Sequence, residues 1–173
     1  MNTKSPKQIV LTAVFAALYS VGVVFLAPIS FQVFQVRVAD AMLPLAMLFG
    51  WPAVVGLSLG AFVANVFGGL GPVDMVGGAL ANFIATYAAW RIVTSRGRRW
   101  MLVGVGVEIV VVTLVVGTYL SYLLAIPITI SWLGILLGSL TAIGALGSIL
   151  LYTLSRRNLA SLFVTHGSSE NRR

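Results

Sequence analysis

The chain has 173 residues, of which 59% are hydrophobic and only 9% are charged. Because a soluble domain carries about 25% charged residues, this composition excludes an ordinary soluble protein and predicts an integral membrane protein. The sequence has no cysteine, which excludes disulfides and cysteine-ligated metal sites. Its net charge of +7 comes from basic residues clustered between apolar runs, a pattern that reports membrane topology and not nucleic-acid binding.

Six apolar segments predict six transmembrane helices, because a helix needs about 20 residues to cross the hydrocarbon. The expected fold class is an all-α integral membrane protein, a six-transmembrane-helix bundle in one domain over residues 1–173. The predicted spans are 9–27, 38–50, 52–68, 72–92, 101–124 and 132–154, and a polar basic tail follows at 155–173. No small-residue cleavage site follows the first apolar run, so we interpret that run as a span and not as a removable signal.

The second and third spans are short, and the residues between them decide whether they form two helices or one. Gly50-Trp51-Pro52 predicts a tight turn, because proline suits the first turn of a helix. One long helix, kinked at the same glycine and proline, is the alternative.

The basic residues indicate which side of the membrane each loop faces. With six spans, ten of the eleven basic residues share a side with both termini and the loop between spans four and five, and Arg37 alone lies on the other side. Cytoplasmic loops are enriched in Lys and Arg, so both termini are predicted to be cytoplasmic. Four tryptophans stand at predicted span ends, as expected for the aromatic belt at the membrane surface: Trp51, Trp90, Trp100 and Trp132.

Small residues recur at intervals of four in three of the spans. Close helix packing in lipid requires such residues, since no hydrophobic force drives helices together there. We expect two of these sets to pack within the bundle: Gly56, Gly60, Ala64 and Gly68 in the third span, and Gly134, Gly138 and Ala142 in the sixth. Ala13 and Ala17 in the first span offer a similar surface, which a partner protein can use instead.

Polar residues inside the spans are the candidate functional residues, because a charge in lipid costs roughly 3 kcal/mol or more unless it is paired or faces a polar cavity. Most of them fall at one level near the non-cytoplasmic ends of the spans, and Glu108 falls deeper. We expect a substrate-binding site formed by Arg37, Asp40, Asn65, Asp74, Asn82, Glu108 and Tyr119, with Tyr122 at the level of Tyr119. No metal site and no cofactor are expected.

These residues also have structural interpretations. Arg37 and Asp40 lie three residues apart on one helix face, so they either clamp a ligand or form an internal salt bridge. Asp74 either binds a ligand or caps the helix that begins beside it. The two asparagines, Asn65 and Asn82, are well placed for hydrogen bonds between helices.

Three stretches of this sequence resemble the QueT family. They are Arg37-Val-Ala-Asp40-Ala-Met-Leu-Pro44-Leu, Gly56-Leu-Ser-Leu-Gly60-Ala-Phe-Val-Ala64-Asn65 and Gly71-Pro72-Val-Asp74-Met-Val-Gly77, and the loop Pro28-Ile-Ser-Phe is similar to the family's first outer loop. The resemblance is best over residues 9–92, whereas the last two spans are similar mainly in length and hydrophobicity. It implies a six-helix substrate-binding S component of an energy-coupling factor (ECF) transporter.

The resemblance also implies a ligand, partners and a location. The ligand would be a queuosine precursor, a 7-deazaguanine such as preQ0 or preQ1, or queuine. The partners would be a transmembrane coupling subunit and two ATPases in the cell membrane, with Ala13 and Ala17 matching the motif by which S components dock on that subunit. A carboxylate is a natural acceptor for the N1–H and amino edge of such a base, and Asp40, Asp74 and Glu108 are all candidates for it.

Other classes of function have less support. His166 is the only histidine and lies in the polar tail, and no catalytic motif or nucleotide-binding loop is present. The chain is therefore not expected to be an enzyme, and any ATP hydrolysis belongs to partner subunits. A stand-alone proton-coupled carrier is one alternative, although the halves 9–68 and 72–154 lack the repeats common in such carriers. An S component for another vitamin is the other.

Overall fold

Apolar runs of this length fold as helices in a membrane, because each backbone group must find its hydrogen-bond partner within its own segment. The computed structural model of the chain describes residues 6–30 and 36–156, and those residues form helices and no strands. The expectation of an all-α membrane protein is confirmed. Lys4, residues 31–35 of the loop between the first two spans, and residues 157–173 of the basic tail, with His166, lie outside the described residues.

Six helical segments follow one another along the described chain. Their bounds are α1 Pro6–Phe25, α2 Val38–Phe49, α3 Trp51–Gly68, α4 Pro72–Arg96, α5 Met101–Leu123 and α6 Ile128–Arg156. Two of them are irregular: α2 is a 3₁₀ helix over Val38–Leu45 that continues as α-helix over Ala46–Phe49, and α6 contains a π-helix at Leu140–Gly147. Ala27–Ser30 forms a helical turn after α1, and Arg98–Trp100 forms a 3₁₀ turn before α5.

Four stretches of the described chain are long and apolar enough to cross a membrane: α1, α3, the stretch Arg98–Leu123 that includes α5, and α6. The 25 residues of α4 include Asp74, Arg91 and Arg96, which lower its hydropathy, and α4 is not among the four. The central α2 is apolar but short. The helices therefore fit a protein that crosses the membrane several times, and the side on which the termini lie stays a prediction.

A turn at Gly50 separates α2 from α3, so the alternative of one long kinked helix is wrong. Gly50 has φ 65° and ψ −140°, a conformation that glycine adopts without strain. Pro52 lies in the first turn of α3, where its missing N–H is not needed. Trp90 of α4 packs against this turn, since a Cβ atom at Gly50 would lie 3.2 Å from its indole nitrogen.

The short helix α2 lies in the middle of the bundle and contacts each of the other five helices. Most of its side chains are buried, and Leu43 and Ala46 are fully buried, as expected for a helix with no polar stripe. Its contact with the π-helical part of α6 is close, because a Cβ atom at Gly147 would lie 3.0 Å from the ring of Pro44. Contacts with all five other helices therefore hold α2 in place.

Glycines bring α1 and α3 into close contact. A Cβ atom at Gly56 would lie 2.6 Å from the carbonyl oxygen of Thr12, and one at Gly60 would lie 2.8 Å from that of Ala16. The Ser20 hydroxyl donates a hydrogen bond of 3.0 Å to the Gly60 carbonyl. The small residues of α3 therefore serve packing inside the bundle, and those predicted for the sixth span are buried as well: Gly134, Gly138 and Ala142.

We expect Gly60→Val to destabilise the fold, because the new side chain has no room against the α1 backbone and overpacking costs about 1–3 kcal/mol. Thermal unfolding of the detergent-solubilised protein measures the loss. Gly106→Val is the matched control, since Gly106 is a helical glycine of α5 with no atom within 4 Å of its Cβ position. The control should unfold at the wild-type temperature or slightly above it. Equal behaviour of the two variants would contradict this account of the contact.

One end of the bundle gathers basic and aromatic side chains. Lys7 at the start of α1 and Trp90 near the end of α4 line the same groove. The Trp51 ring lies 6.2 Å from the Trp90 ring, measured between centroids. Because Gly50 ends α2 beside Trp90, Arg37 at the start of α2 lies at the opposite end of that helix.

Candidate functional site

The polar residues predicted from the sequence collect around the first turn of α2. Arg37 immediately precedes this helix and Asp40 lies in its first turn, where the Asp40 N–H donates to the Arg37 carbonyl at 2.9 Å. Both side chains are buried, with 7% and 6% of their surface exposed. A guanidinium and a carboxylate at this depth need polar partners, and the neighbouring helices supply them.

Tyr19 of α1 is a partner of Asp40. Its hydroxyl donates a hydrogen bond to Oδ1 of Asp40, and its side chain is fully buried. Phe15 and Val23 lie four residues before and after Tyr19 on the same buried face of α1, so the packing of that face holds the phenol in place. A hydrogen bond to a charged group is roughly twice as strong as a neutral one, and this one joins α1 to α2.

Asp74 contacts three other predicted site residues. Its Oδ1 accepts a hydrogen bond of 2.9 Å from the Tyr119 hydroxyl and lies 3.9 Å from a guanidinium nitrogen of Arg37. Its backbone carbonyl accepts a hydrogen bond of 2.8 Å from the side chain of Asn65. Side chains of α3 and α5 and the start of α2 therefore meet at Asp74. Its Oδ2 and the Oδ1 of Asn65 are buried without a hydrogen-bond partner among the described residues, so both can accept another donor.

Asp74 does not cap its helix. Gly71 is the N-cap residue of α4, and no side-chain hydrogen bond caps that end. The carboxylate instead points to α2 and α5, although its place in the first turn of α4 also suits the helix dipole.

A small cavity lies beside Arg37 and Asp40. Polar and apolar side chains of four helices line it: Arg37, Asp40, Asn82, Val112, Val116, Ile135, Gly138 and Ser139. Its volume of about 20 Å³ is room for about one water molecule, so side chains must move before a bicyclic base can enter. Asn82 also donates a long hydrogen bond of 3.4 Å to the Leu57 carbonyl, which is the predicted kind of contact between helices.

Glu108 lies deeper along α5 than the other acidic residues. It precedes Tyr119 by about 16 Å along the helix axis. Val112 and Val116 follow it at steps of four residues and line the cavity, so Glu108 shares their face of α5. Its side chain is fully buried, and neither carboxylate oxygen has a hydrogen-bond partner within residues 6–30 and 36–156.

Three residues singled out in the sequence lie outside this cluster. Tyr122 is 87% exposed, although it stands in the last turn of α5, where Leu120 is buried. The side chains of Ala13 and Ala17 lie on the exposed surface of α1. That position leaves both alanines accessible to another membrane protein.

Comparison with family models identifies the family of this chain. The family model described as QueT transporter matches residues 9–156. The chain belongs to the QueT transporter family. The match reaches into all six helices, including α5 and α6, where the sequence resemblance rests on length and hydrophobicity. Comparisons with curated proteins and with solved structures give no match.

As a member of the QueT transporter family, the chain is a multi-pass membrane protein that takes part in transport of a small molecule. The family is one of transporters, so the expectation that the chain is not an enzyme is confirmed.

Tyr19 and the α6 side of the cavity were not predicted from the sequence of this QueT protein. Tyr19 does carry a signal, since the hydroxyl of a tyrosine in the middle of a span needs a partner when it is buried. Gly138 was assigned to helix packing alone, yet it lines the cavity together with Ser139. Tyr19, Gly138 and Ser139 carry no charge, so a search for charged residues does not find them.

Proposed function

We propose that this QueT-family protein is the substrate-binding S component of an ECF transporter that takes up a queuosine precursor, a 7-deazaguanine such as preQ0, preQ1 or queuine. The buried cluster of Arg37, Asp40 and Asp74 carries the proposal. Charged side chains inside a membrane bundle are costly and mark substrate sites. Their mutual contacts leave Oδ2 of Asp74 without a hydrogen-bond partner among the described residues. A polar ligand can donate a hydrogen bond to this oxygen.

A 7-deazaguanine suits the chemistry of these residues. Its N1–H and amino group donate to a carboxylate, and its carbonyl oxygen accepts from a guanidinium or an amide. The cavity beside Arg37 and Asp40 offers each of these groups, with Asn82 as the amide. Buried polar groups of this kind reject a ligand that lacks the matching donors, because they are then left unpaired.

For partners, we propose the transmembrane coupling subunit and the two ATPases of an ECF module. The surface of α1 around Ala13 and Ala17 is exposed and apolar, with Val14 and Leu18 beside them, and is the proposed docking surface. The basic end of the bundle, with Lys7 and Trp90, is proposed to face the cytoplasm together with both termini.

A stand-alone proton-coupled carrier is the second candidate. The three buried acidic residues Asp40, Asp74 and Glu108 favour it, because carboxylates relay protons in many transporters. Vesicles that contain only this chain separate the two proposals. An S component gives no uptake under a pH gradient until the coupling subunit and the ATPases are added.

Calorimetric titration of the purified protein tests the substrate. We expect preQ0, preQ1, queuine or guanine to bind at least about tenfold more tightly than adenine, because an unpaired buried carboxylate costs roughly 1–3 kcal/mol and about 1.4 kcal/mol is one decade. Tight binding of riboflavin, biotin or thiamine, with no binding of any 7-deazaguanine, would overturn the substrate and leave the transporter class. Absence of binding by every small molecule tested would overturn the S-component proposal.

A further inference from the structure

Acidic side chains outnumber basic ones inside the bundle. Within the described part of the chain, the buried charged side chains are three acids, Asp40, Asp74 and Glu108, and one base, Arg37, while every other Lys and Arg is exposed. The loop residues 31–35 add no charge, since their sequence is Phe-Gln-Val-Phe-Gln. The buried site therefore contains more acidic than basic side chains.

Glu108 differs from the other two acids in its hydrogen bonding. Asp40 accepts a hydrogen bond from one tyrosine and Asp74 from another, whereas both oxygens of Glu108 are buried without a partner among the described residues. A carboxylate with both oxygens available accepts two parallel N–H bonds from one planar group. Bonds to a buried carboxylate are selective, because a ligand that lacks one of the donors leaves an oxygen unpaired.

We propose that Glu108 is the residue that recognises the base, by accepting its N1–H and its amino group together. The assignment rests on the proposed function and names the carboxylate that the sequence leaves open among three. Asp40 and Asp74 then act at the other end of the site, where Arg37 lies.

The position of Glu108 also sets the orientation of the base. Val112 and Val116 follow Glu108 along one face of α5 and line the cavity beside Arg37 and Asp40. A base whose amino edge meets Glu108 lies along these two valines, and C7 of its five-membered ring points to Arg37 and Asp40. Queuosine precursors differ in the substituent at C7 and share the amino edge. The end of the site with Arg37 and Asp40 therefore faces the variable substituent at C7. Glu108 binds the amino edge that all these precursors share.

Titration with guanine and hypoxanthine tests the role of Glu108, because hypoxanthine lacks only the amino group. Wild-type protein should bind guanine at least about tenfold more tightly than hypoxanthine. Glu108→Gln keeps the size of the side chain but replaces one acceptor by a donor, so it should lower guanine affinity at least about tenfold and bring the ratio of the two affinities close to one. Asp40→Asn is the matched control: it removes a carboxylate at the other end and should weaken both bases alike.

The orientation is tested on the wild-type protein, which removes any doubt about folding of a variant. Bases with small or large groups at C7, such as preQ1 and queuine, should bind, and guanine with a benzyl group on its amino nitrogen should not. Binding of that N2-benzyl base as tightly as guanine, or a guanine preference kept in Glu108→Gln, would overturn the assignment and leave the proposed function intact. Failure of every 7-deazaguanine to bind the wild-type protein would overturn both.

Discussion

Ala17→Trp should abolish assembly with the coupling subunit and leave ligand binding unchanged. Ala17 lies on the exposed surface of α1, whereas Phe15 and Tyr19, which pack into the bundle, are buried. The substitution therefore changes the outer surface without disturbing the core. Small residues allow helix backbones in lipid to approach each other closely, and an indole ring at the contact holds them apart.

Co-purification of the tagged protein with the coupling subunit and ATPases measures this effect. Leu114→Trp is the matched control, because Leu114 is 45% exposed on α5 and the same ring is added to another outward-facing surface. The control should co-purify at wild-type yield. A wild-type yield of complex with Ala17→Trp would contradict docking through α1, and calorimetry with preQ1 establishes that both variants are folded.

Removing the carboxylate of Asp74 should lower the unfolding temperature and weaken ligand binding. Asp74→Ala takes away the anion 3.9 Å from the buried guanidinium of Arg37 and the acceptor of the Tyr119 hydroxyl. Deleting one partner of a buried ion pair costs about 3–5 kcal/mol, so the unfolding temperature should fall clearly. Binding of every 7-deazaguanine should weaken, while the preference for guanine over hypoxanthine persists.

Asp74→Asn is the informative comparison, because the amide keeps an oxygen that can accept from Tyr119 and loses only the charge. Its unfolding temperature should lie between those of the wild type and Asp74→Ala. Thermal unfolding and titration of the three proteins side by side measure both effects. If Asp74→Ala unfolds at the wild-type temperature, the charges of this cluster do not support the fold.

Most of the helical architecture was predictable, because in lipid the length of an apolar run and its charged ends largely determine a helix. The irregular helices were not predictable. The 3₁₀ form of α2 and the π-helix of α6 meet where Gly147 packs against Pro44, and a contact between residues about 100 positions apart leaves no local pattern in the sequence.

The members of the site were easier to predict than their contacts. Buried charge is rare enough in a membrane span to identify Arg37, Asp40 and Asp74. The spacing of Arg37 and Asp40 suggested that they bind each other or a ligand, whereas the structure gives Asp40 a hydrogen bond from Tyr19 and puts Asp74 beside Arg37. These contacts join different helices, so they depend on how the bundle closes and not on local spacing.

The shortness of α2 affects how the chain is inserted into the membrane during its synthesis. Eight residues of 3₁₀ helix and four of α-helix reach about 22 Å, which is less than the hydrocarbon thickness of about 30 Å. A segment this short, preceded by Arg37, does not partition into lipid as an independent unit. The turn at Gly50 joins it to α3, so we expect the two segments to enter the bilayer together as a hairpin. The residues proposed to bind the substrate lie on α2, α4 and α5, so we expect them to come together only after these helices have left the ribosome.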